Sequence, residues 1–393
     1  MAQQQRILTI DIMRGITLFL MLFVNDLYAK GVPAWLTHRP ATFDGMGLGD
    51  WVFPGFLFMV GMAVPFAIQS RFRKGDTSIQ VIFHIVVRTL SLLFIGVLML
   101  NVDRVNAELM GMPRNLWAIL VYVCIFLIWN LYDKQKPRTI LLLKGIGIIG
   151  LLALLFIFRA GTPENISWIK TGWWGILGLI GWGYLVTSLV YLFLKNSIIG
   201  VALVWFFFVL LNILTQLGLL NFLNPVKTVL SVIIDGNVPS IVLAGLFFSL
   251  ILRKYKNDYN RFVLIALVIG IVTLVSGFVL RHWFIVSKIQ GTPSWAMLCN
   301  GISILVFVLL FVLIDILGQR KWTGVFKPAG QNSLTTYLAP NILYYGIWMS
   351  GIPILVYKQS EHSLIVIAGS FIWALLMIGF AALLSKLGIR LKL

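Results

Sequence analysis

The sequence predicts an all-α polytopic membrane protein, a bundle of about 12 transmembrane helices (roughly 10–12). Apolar runs of about 20 residues recur along the whole chain, and each is long enough to cross a bilayer. Of its 393 residues, 60% are hydrophobic and only 11% are charged, with a mean hydropathy of +0.96. No segment has the alternating pattern of an outer-membrane barrel strand.

The predicted spans follow one another with short connections. They cover 8–28, 50–69, 78–101, 114–132, 138–158, 173–194, 197–221, 237–252, 261–283, 294–317, 329–350 and 363–385. The first span is a retained helix and not a signal peptide, because Asp11 and Arg14 lie within it and no small-residue cleavage site follows. The eighth span is short, and those at 173–221 are almost continuous.

Lysine and arginine alternate between dense and sparse loops, which predicts the orientation of the helices. The dense loops contain Arg71, Arg73, Lys74; Lys134, Lys136, Arg138; Arg253, Lys254, Lys256, Arg261; Arg320, Lys321, Lys327; and Lys386, Arg390, Lys392. The sparse loops carry single charges, namely Lys30, Arg39, Arg104, Lys227, Lys288 and Lys358. By the positive-inside rule both termini are cytoplasmic, and the loop with His38 lies on the outer side.

The net charge of +18 therefore reflects topology, and no nucleic-acid partner is expected. We expect an integral protein of a bacterial inner (cytoplasmic) membrane, surrounded by membrane lipids. Cys124 and Cys299 fall in apolar spans, where cysteine behaves as a small hydrophobe. No two His or Cys residues have metal-ligand spacing, so no metal site is expected.

A polar segment separates the first two spans and is the first candidate site. It contains Asn25, His38, Asp44 and Asp50 among membrane-length apolar runs. Asn25 suits a helix C-cap, and Asp50 suits the N-cap of the second helix, with Pro54 in its first turn. His38 is the one group in the segment that moves a proton near neutral pH. Capping and chemistry are both open interpretations of these residues.

Polar and cationic residues inside the spans form the second group of candidates. Asp11 and Arg14, three apart on a helix, can form an ion pair that anchors the helix end, or Arg14 can face inward and hold an anionic ligand. Arg88 is a second inward-facing cation. The polar positions Trp295, Asn332, Ser333 and Tyr337 either join helices or line a site.

These motifs together resemble the heparan-α-glucosaminide N-acetyltransferase family. The matching residues, which cover most of the chain in the right order, are Asp11-x-x-Arg14-Gly15, Phe23-Val24-Asn25, His38, Asp50-x-Val52-Phe53-Pro54-x-Phe56-x-Phe58, Gly175-Ile176-Leu177-Gly178-x-Ile180-Gly181-x-x-Tyr184, Thr292-Pro293-Ser294-Trp295 and Gly330-x-Asn332-Ser333-Leu334-x-x-Tyr337. The resemblance is to a bacterial type without the large luminal N-terminal region of the animal enzyme. The chain departs from the family in a longer gap between His38 and Asp50, and in Gly178-Leu179 where Gln-Arg is usual.

The resemblance implies one transmembrane acyltransferase domain over 1–393, with motif-rich helices at 8–69, 173–194 and 290–350 and an extra helix pair at 114–158. It implies transfer of an acetyl group from cytosolic acetyl-CoA to an amino sugar or glycan acceptor on the opposite side, and a homodimer. His38 then matches the active-site histidine, as base or acetyl carrier, and Asn25 the catalytic amide. Asp50 or Asp44 would orient the imidazole.

For the co-substrate acetyl-CoA, the expected binding residues are Arg14, Arg88, Asn332, Ser333, Tyr337 and Trp295. Two other functions remain open at this point. A transporter or flippase of a glycan or lipid-linked intermediate would also need intramembrane charge and a cavity. An O-acetyltransferase would share the chemistry and differ in its acceptor, a hydroxyl group.

Overall fold

The computed structural model describes residues 7–132, 136–360 and 362–393, so Lys134 of the second dense loop lies outside the described residues. Helices dominate this part of the chain. Those of sixteen residues or more are α1 Leu8–Asp26, α2 Leu48–Arg73, α3 Ser78–Asn101, α5 Arg114–Trp129, α6 Pro137–Ile157, α7 Gly175–Leu194, α8 Ile198–Gln216, α10 Asn237–Lys254, α11 Tyr259–Leu280, α12 Pro293–Phe311, α14 Ser333–Ser350 and α15 Ser363–Lys386.

Shorter elements join these helices. They are α4 Ala107–Met110, α9 Asn224–Ile234, α13 Phe326–Gln331, and an antiparallel hairpin of β1 Ala160–Thr162 with β2 Asn165–Ser167. Within the described ranges, ten helices are long and apolar enough to cross a membrane. The prediction of an all-α polytopic membrane protein is confirmed, and each predicted span overlaps a long helix.

α5 and α14 do not meet that length and composition, yet both run between the two ends of the bundle. α14 begins beside Arg14 in the first half of α1 and reaches Asp26 at the end of α1. α5 ends where Leu131 bonds to Arg390, near the chain's C-terminal segment. The end of the bundle that carries the dense loops is called the basic end below. The opposite end, with the loop from Leu27 to Gly47, is called the His38 end.

α2 and α10 form the centre of the bundle and are buried over most of their length. Glycines let their backbones touch: a Cβ on Gly61 would lie 1.8 Å from the carbonyl oxygen of Val242, and one on Gly245 would lie 1.9 Å from that of Phe58. α1 packs against α2 on one side and against α13 on another. α6, α8 and α11 present large apolar side chains outward, as lipid-facing helices do.

The N-terminus of α1 is capped from a distant part of the chain. Asp315, in the π-helical turn that extends α12, accepts hydrogen bonds from the backbone N–H groups of Leu8 and Thr9 and from the Thr9 hydroxyl. A carboxylate at a helix N-terminus satisfies unpaired N–H groups and opposes the helix dipole. This cap fixes the start of the helix that carries Arg14.

Candidate functional site

His38 and Asp50 are in contact at the His38 end. The ring Nδ1 of His38 lies 3.1 Å from Oδ1 of Asp50. The Asp50 side chain is 2% exposed, whereas that of His38 is 43% exposed. A Cβ on Gly49 would lie 2.9 Å from Nδ1, so the ring approaches the helix where a larger residue would collide with it. The buried carboxylate holds the ring, and the rest of the ring faces outward.

Asp50 is held by the backbone through its second oxygen. Oδ2 accepts hydrogen bonds from the N–H groups of Arg39 and Gly47. α2 begins at Leu48 with Gly47 as its N-cap, so Asp50 occupies the third helical position and not the predicted N-cap. Asp50 therefore caps α2 from inside its first turn, by accepting from the backbone N–H of Gly47. One carboxylate joins the start of α2, the chain after His38 and the imidazole.

Pro54 lies inside α2 and not in the predicted first turn. A proline has no N–H, so the carbonyl four residues earlier loses its helical donor. That carbonyl belongs to Asp50, and it accepts a hydrogen bond of 3.2 Å from the indole N–H of Trp295 at the start of α12. Trp295 was predicted to bind the co-substrate. The structure places it here, where it supports Asp50.

Lys288, from the loop between α11 and α12, completes this cluster. Its Nζ lies 3.2 Å from Nδ1 of His38 and 3.3 Å from the carbonyl oxygen of Gly49. Burial lowers the pKa of Lys288 below its usual range, and the nearby Asp50 carboxylate opposes that effect. Sequence analysis assigned Lys288 only to the sparse loops, since a lone lysine beside Thr292-Pro293-Ser294 carries no local signal of a site.

Asp44 lies in the same loop as His38 but contacts other groups. Its carboxylate accepts from Arg281 and from the backbone N–H of Val286. The pKa of Asp44 is lowered below its usual range, first by the Val286 hydrogen bond and further by Arg281, while burial opposes the shift. The pair ties the His38 loop to the loop that carries Lys288. Asp44 therefore positions loops, and Asp50 is the carboxylate that touches the ring.

Asn25 is exposed near the end of α1, and no hydrogen bond to its side chain is found within the described residues. Its neighbour Asp26 is fully buried and bonds to Tyr344, to Tyr357 at 2.5 Å and to Lys358 at 2.7 Å. Burial and the hydrogen bond to Asp26 raise the pKa of Tyr357. The predicted pairing of Asn25 with His38 is thus not seen as a direct contact. Asp26 instead fastens the end of α1 beside Asn25.

A cavity of about 440 Å³ occupies the bundle between α1, α2, α3, α7 and α14. This volume lies within the roughly 300–1,000 Å³ of typical ligand sites. Five of the six residues predicted to bind the co-substrate line it, namely Arg14, Arg88, Asn332, Ser333 and Tyr337. Together they span more than 300 positions of the sequence, from Arg14 to Tyr337, so the fold brings together residues from separate motifs.

Arg14 reaches the cavity across a break between two helices. α13 ends at Gln331, Asn332 adopts a non-helical backbone conformation, and α14 starts at Ser333. Nη2 of Arg14 donates to the carbonyl oxygen of Gly330 at 2.6 Å and to Oγ of Ser333 at 2.9 Å. Non-helical backbone at membrane depth is tolerated where it lines a cavity. The predicted continuous span at 329–350 was wrong at this point.

Arg88 is the second cation in the cavity. Its guanidinium lies 4.7 Å from the ring centre of Tyr184, and its buried Nε has no hydrogen-bond partner among the described residues. A buried guanidinium N–H without a partner is costly unless a ligand or water accepts from it. At the basic end the wall is formed by residues that sequence analysis did not assign to the site: Arg71, Lys74, His84, Leu391 and Lys392.

The cavity and the His38 cluster lie at different depths along α2. Lining residues run from Lys74 and Arg71 at the basic end to Phe56. Phe56 is six residues from Asp50, which is about 9 Å along a helix. Arg71 lies fifteen positions after Phe56, a distance of about 22 Å along a helix, and the hydrocarbon core is roughly 30 Å thick. The cavity therefore extends from exposed Lys74 most of the way to the buried carboxylate.

Comparisons with known proteins give one family and two relatives that match part of the chain. The family described as "Domain of unknown function (DUF5009)" matches residues 6–273. The heparan-alpha-glucosaminide N-acetyltransferases of Homo sapiens and Mus musculus are each 32% identical to the chain over 96 residues. That segment covers 24% of this chain and 14% of each relative, well under two thirds of their length. Because the family match covers more than half of the sequence, the chain belongs to the DUF5009 family.

Proposed function

We propose that this protein is a transmembrane acetyltransferase. It moves an acetyl group from cytosolic acetyl-CoA to an amino or hydroxyl group of a sugar or glycan acceptor on the outer side of the membrane. The observation that carries the proposal is the cavity that starts at exposed Lys74 and ends about 9 Å, along α2, from the His38–Asp50 pair. A donor and an acceptor on opposite sides need such an arrangement.

The cavity suits a long anionic donor. Arg71, Lys74 and Lys392 lie at its basic end, where phosphate groups of CoA would bind, and the inner wall is largely apolar. Arg14 and Arg88 offer guanidinium groups, which bind phosphate or carbonyl oxygens through planar N–H donors. The similarity to two N-acetyltransferases over 96 residues supports acyl transfer as the chemistry.

The chemistry at the His38 end follows from which ring atoms are engaged. Asp50 and Lys288 both contact Nδ1 of His38, so Nε2 is the ring nitrogen left for the acceptor. Nε2 takes the proton of the acceptor amine while the amine nitrogen bonds to the acetyl carbon of the thioester. The C–S bond then breaks, and the sulfur keeps the electron pair. With His38 as acetyl carrier, the same nitrogen would hold the acetyl group first.

Asn25, at the end of α1 on the same side, is proposed to orient the acceptor or polarise the acetyl carbonyl through its amide. Its exposure leaves that amide available to a ligand.

We extend the proposal to a homodimer in a bacterial inner membrane, with the single transmembrane domain spanning 1–393 and no metal in the reaction. No group of three or more metal-binding side chains is found within the described residues.

The experiment that tests the proposal mixes detergent-purified protein with acetyl-CoA and a panel of amino sugars and their N-blocked, hydroxyl-only analogues. Acceptor-dependent release of free CoA is measured. We expect release with at least one acceptor, and a loss of about 100-fold or more in His38→Ala. His282→Ala, an exposed histidine near the same end of the bundle, serves as the matched control and retains the rate.

The panel separates the open alternatives. Release only with a free amine indicates N-acetylation, and release with the hydroxyl-only analogues indicates O-acetylation. A protein that binds or moves these sugars but releases no CoA with any of them would be a transporter, and the proposal would fail.

A further inference from the structure

Lys288 and Asp50 contact the same nitrogen of one imidazole ring. Nζ of Lys288 lies 3.2 Å from Nδ1 of His38, and Oδ1 of Asp50 lies 3.1 Å from it. Nδ1 carries either one hydrogen or one lone pair. It can donate to the carboxylate or accept from the lysine, and the two hydrogen bonds exclude each other.

The two partners favour opposite charge states of the ring. A protonated imidazole carries hydrogen on both nitrogens, and Asp50 stabilises it by accepting from Nδ1 and by its negative charge. A lysine ammonium has donors only, so against a protonated Nδ1 it would place donor against donor and positive charge against positive charge. The positive charge of Lys288 therefore opposes the charged ring. A hydrogen bond accepted from Lys288 would leave the ring hydrogen on Nε2, whereas a hydrogen bond donated to Asp50 leaves the Nε2 lone pair free to take a proton.

We infer that Lys288 is a positioning residue whose positive charge keeps the His38 ring neutral against the pull of Asp50. The Asp50 contact selects the tautomer in which Nε2 can accept a proton. This inference rests on the proposed function, in which Nε2 of His38 is the base. After Nε2 has taken the acceptor's proton, repulsion between Lys288 and the charged ring favours release of that proton to water or to the leaving thiolate. The lysine thus restores the base between turnovers without touching the substrate.

Other charged groups near the ring are already engaged. Arg39, next in the chain, places its guanidinium 3.7 Å from the ring centre of Phe43, and its N–H bonds to Asp50. Arg281 and Asp44 form an ion pair with each other. The Lys288 side chain is also held by the carbonyl of Gly49, in the first turn of α2, which keeps its amine beside the ring. Lys288 is therefore the cation placed to act directly on Nδ1.

The test follows the protonation of His38 by NMR of protein labelled with ring-¹⁵N histidine. The chain has four histidines, and His38→Gln identifies the signal of interest. We expect Lys288→Met to raise the pH at the midpoint of ring protonation by about one unit or more, because a like charge has been removed. Lys288→Arg, which keeps the charge, and Lys170→Met, at an exposed lysine of the same end, should leave the midpoint unchanged.

A purely structural role for Lys288 would change signal intensity or melting temperature, but not move this midpoint upward. An unmoved or lowered midpoint in a folded Lys288→Met protein would overturn the inference. If Lys288→Met does not fold, Lys288→Gln supplies the same neutral comparison. In the pH profile of the acetyl-transfer rate, the loss of activity on the acid side should move to higher pH in Lys288→Met, together with the NMR midpoint. A moved midpoint in a protein without any acetyl transfer would refute the proposed function and leave the effect of Lys288 on His38 standing.

Discussion

Each functional group of Asp50 has a separate partner. One carboxylate oxygen contacts His38, the other accepts two backbone N–H groups, and its carbonyl, released by Pro54, accepts from Trp295. The capping and chemical interpretations of this residue are therefore compatible. A single side chain fixes the helix start and orients the imidazole.

Asp50→Asn should lower the acetyl-transfer rate by about 100-fold or more, because an amide lacks the charge that stabilises a protonated His38. The side-chain oxygen can still accept from the backbone, so the protein should fold. The rate is compared with that of Asp44→Asn, whose parent residue contacts Arg281 and not the ring. We expect less than a tenfold loss there. Equal losses in the two variants would remove Asp50 from its orienting role.

Arg88→Met should raise the KM for acetyl-CoA roughly 10-fold to 100-fold, the range expected when a hydrogen bond to a charged group is lost. The kcat should change little, because Arg88 is remote from His38 in the proposed geometry. Initial rates over a range of acetyl-CoA concentrations measure both constants. Arg138→Met, at an exposed position on α6 near the basic end, is the matched control. An unchanged KM would argue against acetyl-CoA in this cavity.

Sequence reasoning found single site residues with unequal success. Arg14, Arg88 and Ser333 line one cavity, because cations and polar groups inside apolar spans have few other reasons to be there. Their binding of acetyl-CoA stays a prediction. Lys288 was missed, since its meaning comes from a contact 250 residues away in sequence. Trp295 does not line the cavity; its indole N–H bonds to the Asp50 carbonyl, which Pro54 leaves without a helical donor.

At the scale of elements, the crossing of α2 and α10 depends on two glycines that each meet a carbonyl of the other helix. Gly61 meets Val242, and Gly245 meets Phe58. Close approach of this kind replaces hydrophobic collapse as the source of helix association in lipid. It also holds the wall of the cavity, since α2 supplies lining residues along its length.

Gly245→Ala should destabilise the protein by about 1–3 kcal/mol, because the new methyl group would collide with the Phe58 carbonyl and force the helices apart. A fall in apparent melting temperature in detergent measures the effect. Gly379→Ala on α15, where no atom lies within 4 Å of the new Cβ, provides the control and should leave the melting temperature unchanged or higher. Equal melting temperatures for the two variants would contradict the tight crossing.

Hydrophobic run length predicted the long helices because a lipid-exposed segment must satisfy its own backbone. It could not predict the break at Asn332, where backbone groups bond to Arg14 and line a cavity. Nor did it indicate α9 or the β1–β2 hairpin, which lie at the His38 end outside the apolar spans.

At the scale of the whole molecule, the cavity begins at the basic end and the His38 cluster lies at the opposite end, about 9 Å along α2 from the innermost lining residue. The cavity begins near the basic loops, which the positive-inside rule places in the cytoplasm. His38, Asp50 and Lys288 lie at the other end. The orientation comes from the sequence and the separation comes from the fold. Both support the proposed transfer in one direction across the membrane.

The central claim is that one chain passes an acetyl group from its basic end to its His38 end. The most direct measurement uses proteoliposomes with uniform protein orientation, acetyl-labelled acetyl-CoA on the side of Lys74, and an amino-sugar acceptor only on the side of His38. The account predicts labelled acetyl-sugar on the His38 side with the wild-type protein and background levels with His38→Ala. Labelled sugar formed only when donor and acceptor share one side, or formed equally by His38→Ala, would contradict it.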